Sequence, residues 1–115
     1  MKKRKKKIES SITSNKKKMY DRIAEEATID CYGEYEQFSG WAYTLEDELP
    51  LPLKCVILDE EAMLTGIETD ENGTSVLGII KKGKLKIRIP IQDIELKDKT
   101  AKYNKWVDAY RYWFS

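Results

Sequence analysis

Phe38, Trp41, Leu45 and Leu49 follow one another at intervals of three, four and four residues. This spacing predicts a helix over residues 35–48 with a single apolar stripe, and Pro50 and Pro52 stop it. Met19, Ile23, Ala24 and Ala27 predict an earlier helix over 16–28, and Gly33 marks a break or tight turn between the two. Beyond Pro52 the helical period is lost. The runs LKCVIL (53–58), AMLTGIE (62–68), TSVLGII (74–80) and KLKIRIPI (84–91), with a short IELK (94–97), are rich in strand formers. DENG (70–73) predicts a hairpin turn, because Asn-Gly tolerates the positive φ angles such turns need, and KKG (81–83) predicts a second hairpin. Leu85, Ile87 and Ile89 alternate with Lys84, Lys86 and Arg88, so this strand is expected to bury one face and expose a basic one. Tyr103, Trp106, Val107, Tyr110 and Trp113 or Phe114 return to helical spacing and predict a C-terminal helix with an aromatic face. The order predicts an α+β fold, with N-terminal helices packed on a small, strongly curved antiparallel sheet of the SH3-like barrel type and a C-terminal helix. No internal repeat is visible.

Both aromatic stripes are read as core, because three tryptophans, seven tyrosines and two phenylalanines supply much of the apolar area that 115 residues can bury. The length fits one domain, assigned to residues 19–115, behind a basic flexible tail over 1–18. A net charge of +1 conceals a block pattern. Residues 1–18 hold nine Lys/Arg against Glu9, a net of +8; residues 19–71 hold fifteen carboxylates against Arg22 and Lys54, a net of −13; residues 72–115 carry ten basic and four acidic residues, a net of +6.

Several chemistries are excluded by composition. The chain has no histidine, which removes imidazole base catalysis, Ser-His and Cys-His nucleophile pairs, and His-ligated zinc or iron. Cys31 and Cys55 form no CxxC pair and are read as free thiols of a reducing cytoplasm. No apolar run approaches the ~20 residues of a membrane span. The basic start has no hydrophobic segment behind it and is not read as a secretory signal.

Among the carboxylates of the middle block, the cluster at 46–48 is the more informative, because helix capping alone could explain the one around Gly33. Glu46, Asp47 and Glu48 stand at the C-terminal end of the 35–48 helix, where the helix dipole already concentrates negative charge. Asp30, Glu34 and Glu36 cluster ahead of the same helix, where its N-terminus favours anions. A hard divalent cation such as calcium, held by carboxylates, carbonyls and waters, would offset the repulsion, and Gln37 adds an amide oxygen. Glu36 and Asp47 are about 16 Å apart along an unbroken helix, so they share one ion only if the helix bends near Ser39-Gly40; otherwise the clusters are separate. ETDENG (68–73) imitates the first half of an EF-hand loop, but its twelfth position is Ile79 instead of a bidentate Glu, and it is read as an ordinary turn.

DCYGEYEQFSGW (30–41), LEDELPLP (45–52), IPIQDIEL (89–96) and WVDAYRYWF (106–114) together resemble a bacterial family named for a cyanobacterial calcium-binding protein. The resemblance spans about residues 28–114 and leaves out the basic tail. It implies a compact domain with helices on a small β-barrel-like core, calcium (Ca2+) bound through acidic side chains, and Asp30, Glu36, Gln37, Glu46 and Asp47 at the motif positions.

The resulting expectation is a non-enzymatic, cytoplasmic calcium buffer or sensor that uses Asp30, Glu34, Glu36, Gln37, Glu46 and Asp47, with an unknown protein as possible partner and no membrane contact. The alternative is a protein- or nucleic-acid-interaction module using the lysine tail and the basic strand face. No nucleic-acid motif is present, and the −13 block repels a polyanion, which argues against nucleic acid. A hydrolase built on paired carboxylates ranks third, because no substrate-binding motif accompanies them.

Overall fold

The computed structural model describes residues 13–115; residues 1–12, most of the predicted tail, lie outside the described residues. Helix α1 covers Ser14–Ala27. Its start is set by Thr13, whose hydroxyl accepts a hydrogen bond from the Lys16 N–H at 3.2 Å, so Ser14–Lys18 belong to the helix. Helix α2 runs unbroken over Glu34–Glu48, and helix α3 covers Asn104–Phe114.

Between α2 and α3 lie β1 (Leu53–Ile57), β2 (Glu60–Thr69), β3 (Val76–Lys82), β4 (Leu85–Pro90), a 3-10 turn (Ile91–Asp93) and β5 (Glu95–Leu96). They form one antiparallel sheet in the order β4-β3-β2-β1-β5. The expected α+β class and antiparallel pairing are met, but the sheet is open. Closing a barrel would require β4 to pair with β5, and a two-residue β5 offers too short a ladder. Each hairpin has its own turn chemistry. Gly83 takes a positive φ of 59° at the first central position of the β3–β4 turn, as a II′ turn requires. The β2–β3 connection is longer: Asp70 N–H donates to the Ser75 carbonyl at 3.0 Å, and Gly73 carries the positive φ.

The helices pack on the sheet face that carries Cys55, Leu64, Val76 and Ile80, with α2 against β2 and β3 and α3 against α1. The two aromatic stripes meet there as expected. Trp41 and Tyr110 are edge-to-face at 5.3 Å, as are Phe38 and Trp113, and Trp41, Phe38 and Tyr110 are fully buried. Each such side chain contributes roughly 1.5–3 kcal/mol by burial, with a further ~1 kcal/mol for a good ring pair. The Tyr110 hydroxyl accepts from the Val76 N–H at 3.4 Å and so ties α3 to β3, and burial pushes its pKa far above the ordinary tyrosine value.

One strand departs from expectation. Leu85 and Ile87 were expected on a buried face, yet they are 66% and 44% exposed. The register explains this. Ile87 pairs with Ile80 and lies on the helix side of the sheet, but β4 is the outermost strand, and the helices cover β2 and β3. Only Ile89 is drawn partly into the core.

Candidate metal centre

The turn between α1 and α2 is compact. Helix α1 ends as the Thr28 N–H and hydroxyl both donate to the Ala24 carbonyl, at 3.0 and 2.7 Å. The Cys31 N–H then donates to the Thr28 carbonyl at 3.0 Å, which puts Asp30 in the left-handed region at φ 58°. Aspartate tolerates that region better than most residues. Gly33 precedes α2 without a side chain to cap it. Glu36 reaches back instead, and its Oε1 accepts the Tyr32 N–H at 2.9 Å. This folds 32–36 onto itself. Burial raises the Cys31 thiol pKa above its ordinary value, and the charges of Glu36 and Asp30 raise it further. Glu34 sits in the same first turn of α2, exposed, and Gln37 follows half-buried.

This turn is held against the rest of the molecule at two glycines. A Cβ on Gly40 would lie 2.3 Å from the Ala27 carbonyl oxygen, so α2 passes directly under the end of α1. A Cβ on Gly73 would lie 2.1 Å from the Tyr35 ring, so the start of α2 is seated on the β2–β3 turn. The second contact brings the β2–β3 turn to the helix start at Gly73. No local pattern announces this, because Tyr35 and Gly73 are far apart in sequence.

Glu46, Asp47 and Glu48 are at the opposite end of α2, all exposed, with no basic residue in the last helical turn. Because α2 is unbroken through Ser39 and Gly40, Glu36 and Asp47 remain about 16 Å apart along the axis, and the structure does not bring the two clusters together. Lys54, the basic residue nearest to 46–48 in sequence, acts instead on Glu61.

The sheet sorts the remaining carboxylates. Glu60, Glu61 and Glu68 on β2 pair with Lys82, Lys97 and Arg88. Asp70 accepts from the Thr74 N–H at 2.8 Å and from its hydroxyl at 3.1 Å, which makes ETDENG a self-bonded turn, as its sequence suggested. Among the described residues, Asp30, Glu34, Glu36, Glu46 and Asp47 form no ion pair. Among the described residues, three strand carboxylates of the acidic block are thus neutralised by cations from elsewhere in the sheet region, whereas the carboxylates of the α1–α2 turn and of α2 have no such partner.

Calcium needs six to eight oxygens around one point. Among the described residues, no three Asp, Glu or Cys side chains lie close enough to hold a metal ion. The side chains as positioned do not fit a ready-made cage. The α1–α2 turn gathers Asp30, Glu34 and Glu36 within seven residues, with Glu36 held by the Tyr32 N–H.

A family model described as calcium binding, and named for CcbP, matches residues 21–114. No curated protein matches the chain. Among solved structures, Anabaena CcbP superposes with a TM-score of 0.73 at 19% identity, covering 90% of this chain and 93% of that one. A calcium-binding protein in its calcium-binding form superposes with a TM-score of 0.71 at 18% identity, covering 89% and 94%. At such identities the likeness to the two structures is one of fold.

Proposed function

The chain belongs to the CcbP calcium-binding family and binds the calcium ion; we propose that it does so as a non-enzymatic buffer or sensor, chiefly through Asp30 and Glu36 of the α1–α2 turn, with Glu34 and Gln37 beside them. The observation that carries this choice is the hydrogen bond from the Tyr32 N–H to Glu36 Oε1, which folds 32–36 back on itself two residues after Asp30. The positive end of the α2 dipole lies at this turn and steadies its carboxylates until an ion neutralises them. Glu46 and Asp47 form a second, weaker cluster at the other end of α2, with neither a backbone donor nor a basic residue to order them. Two free thiols, Cys31 and Cys55, support a reducing, cytoplasmic setting.

Calorimetric titration with calcium and with magnesium, after chelator treatment, tests the assignment. Asp30→Asn and Glu36→Gln are expected to weaken calcium binding at least tenfold each, about 1.4 kcal/mol. The paired change Glu46→Gln with Asp47→Asn is expected to weaken it less. The reverse ranking would move the principal site to the far end of α2.

A further inference from the structure

We propose that β4 is a docking edge for an extended acidic segment of a partner protein, which adds to the sheet as a sixth strand. β4 is the outermost strand of the sheet, and six residues long it is a far better template than the two-residue edge β5. An edge strand presents unpaired N–H and C=O groups that a second chain can pair with. Proteins usually disable such an edge with lysines, and this one has them, but Leu85 and Ile87 remain 66% and 44% exposed beside that edge. A strand guarded only against aggregation has no use for two uncovered aliphatic side chains on the core side.

Charge identifies the occupant. Lys81, Lys82, Lys84, Lys86 and Arg88 all belong to the β3–β4 hairpin. Lys82 and Arg88 are taken by Glu60 and Glu68, whereas among the described residues Lys81, Lys84 and Lys86 have no ion pair. A strand alternating apolar and acidic residues would lay its apolar side chains along Leu85 and Ile87 and its carboxylates along Lys84 and Lys86. A second copy of this chain fits poorly, because β4 against β4 opposes lysine to lysine. A nucleic acid would satisfy the charges but neither the free backbone nor the two aliphatic side chains.

The probe is a labelled seven-residue peptide alternating Glu and Val, titrated into the full chain by fluorescence polarisation, with an alternating Lys-Val peptide and a short oligothymidine for comparison. Amide shifts of the 15N-labelled chain locate the contact. The Glu-Val peptide is expected to bind and to shift the amides of 85–90. Its affinity should fall at least tenfold in Lys84→Glu/Lys86→Glu and in Ile87→Ser, and the charge-reversed variant should prefer the Lys-Val peptide. Unchanged affinity in these variants would assign the binding to the basic N-terminal segment, which they retain, and would overturn the proposal. Equal binding of both peptides, oligothymidine shifting the same amides as strongly, or β4 shifts that track protein concentration without peptide would overturn it too. The mapping on the wild-type chain decides the matter even if a variant misfolds.

Discussion

Asp70 turns its carboxylate onto its own loop, and that has a pH signature. The bonds from Thr74, and those from the backbone of Ser75 and Gly73, hold its pKa below the ordinary 3.8. A depressed folded-state value contributes stability that is complete above about 3.8 and lost as pH falls through the lower folded value. Asp70→Asn is therefore expected to melt below the wild type at pH 7, with the gap closing in the acid range below 3.8, as followed by circular dichroism. Glu46 and Asp47 predict the opposite sign. They stand exposed at the negative end of a helix with no basic residue in its last turn. Without calcium, Glu46→Gln with Asp47→Asn should leave the melting temperature unchanged or slightly higher; a clear fall would reveal a partner for them in the folded state.

The helices were legible in the sequence because their stripes are long and Pro50 and Pro52 stop α2; the start of α1 was not, because Thr13 caps it within a polar stretch that carries no apolar period. What Gly40 does was not legible. Its sequence setting allowed a bend, whereas the structure uses its missing side chain to pass α2 beneath the Ala27 carbonyl. Alanine would gain about 1 kcal/mol of helix propensity there. A contact of 2.3 Å with backbone cannot relax, so we expect Gly40→Ala to be destabilising, by about 1–3 kcal/mol of overpacking. Because the end of α1 carries the 28–36 turn, calcium affinity should fall with it, and calorimetry on the folded variant checks this. The β1–β2 hairpin carries its own strain. Leu58 and Asp59 occupy φ 50° and 65°, the two central positions of an I′ turn, and Leu58 is 93% exposed. Leucine is poorly suited to that region, so Leu58→Asn is expected to stabilise by about 1 kcal/mol in thermal or denaturant unfolding. The strands themselves were readable from composition. Their neighbours were not, and neighbours decided that Leu85 and Ile87 stay exposed and that the sheet stays open.

At the scale of the molecule, the −13 block was legible as a number but not as a surface. Sequence could not tell which carboxylates are neutralised, because Glu61 meets Lys97 and Glu68 meets Arg88 only when the sheet assembles. Subtracting those pairs leaves most of the remaining charge over the helices, at both ends of α2. A cation bound there should raise the stability of the whole fold, by about 2.7 kcal/mol at a hundredfold excess over Kd. Wild-type melts in calcium should exceed those in chelator, and Asp30→Asn should lose most of the difference. The unequal edges of the sheet carry a consequence of another kind. Growth of a filament by strand addition needs two complementary ends, so that each newcomer offers a fresh template to the next. Here one end is six residues long and the other only two. A β4-to-β5 ladder between copies of this chain is therefore too short to propagate, and the fold resists end-to-end growth into a fibre.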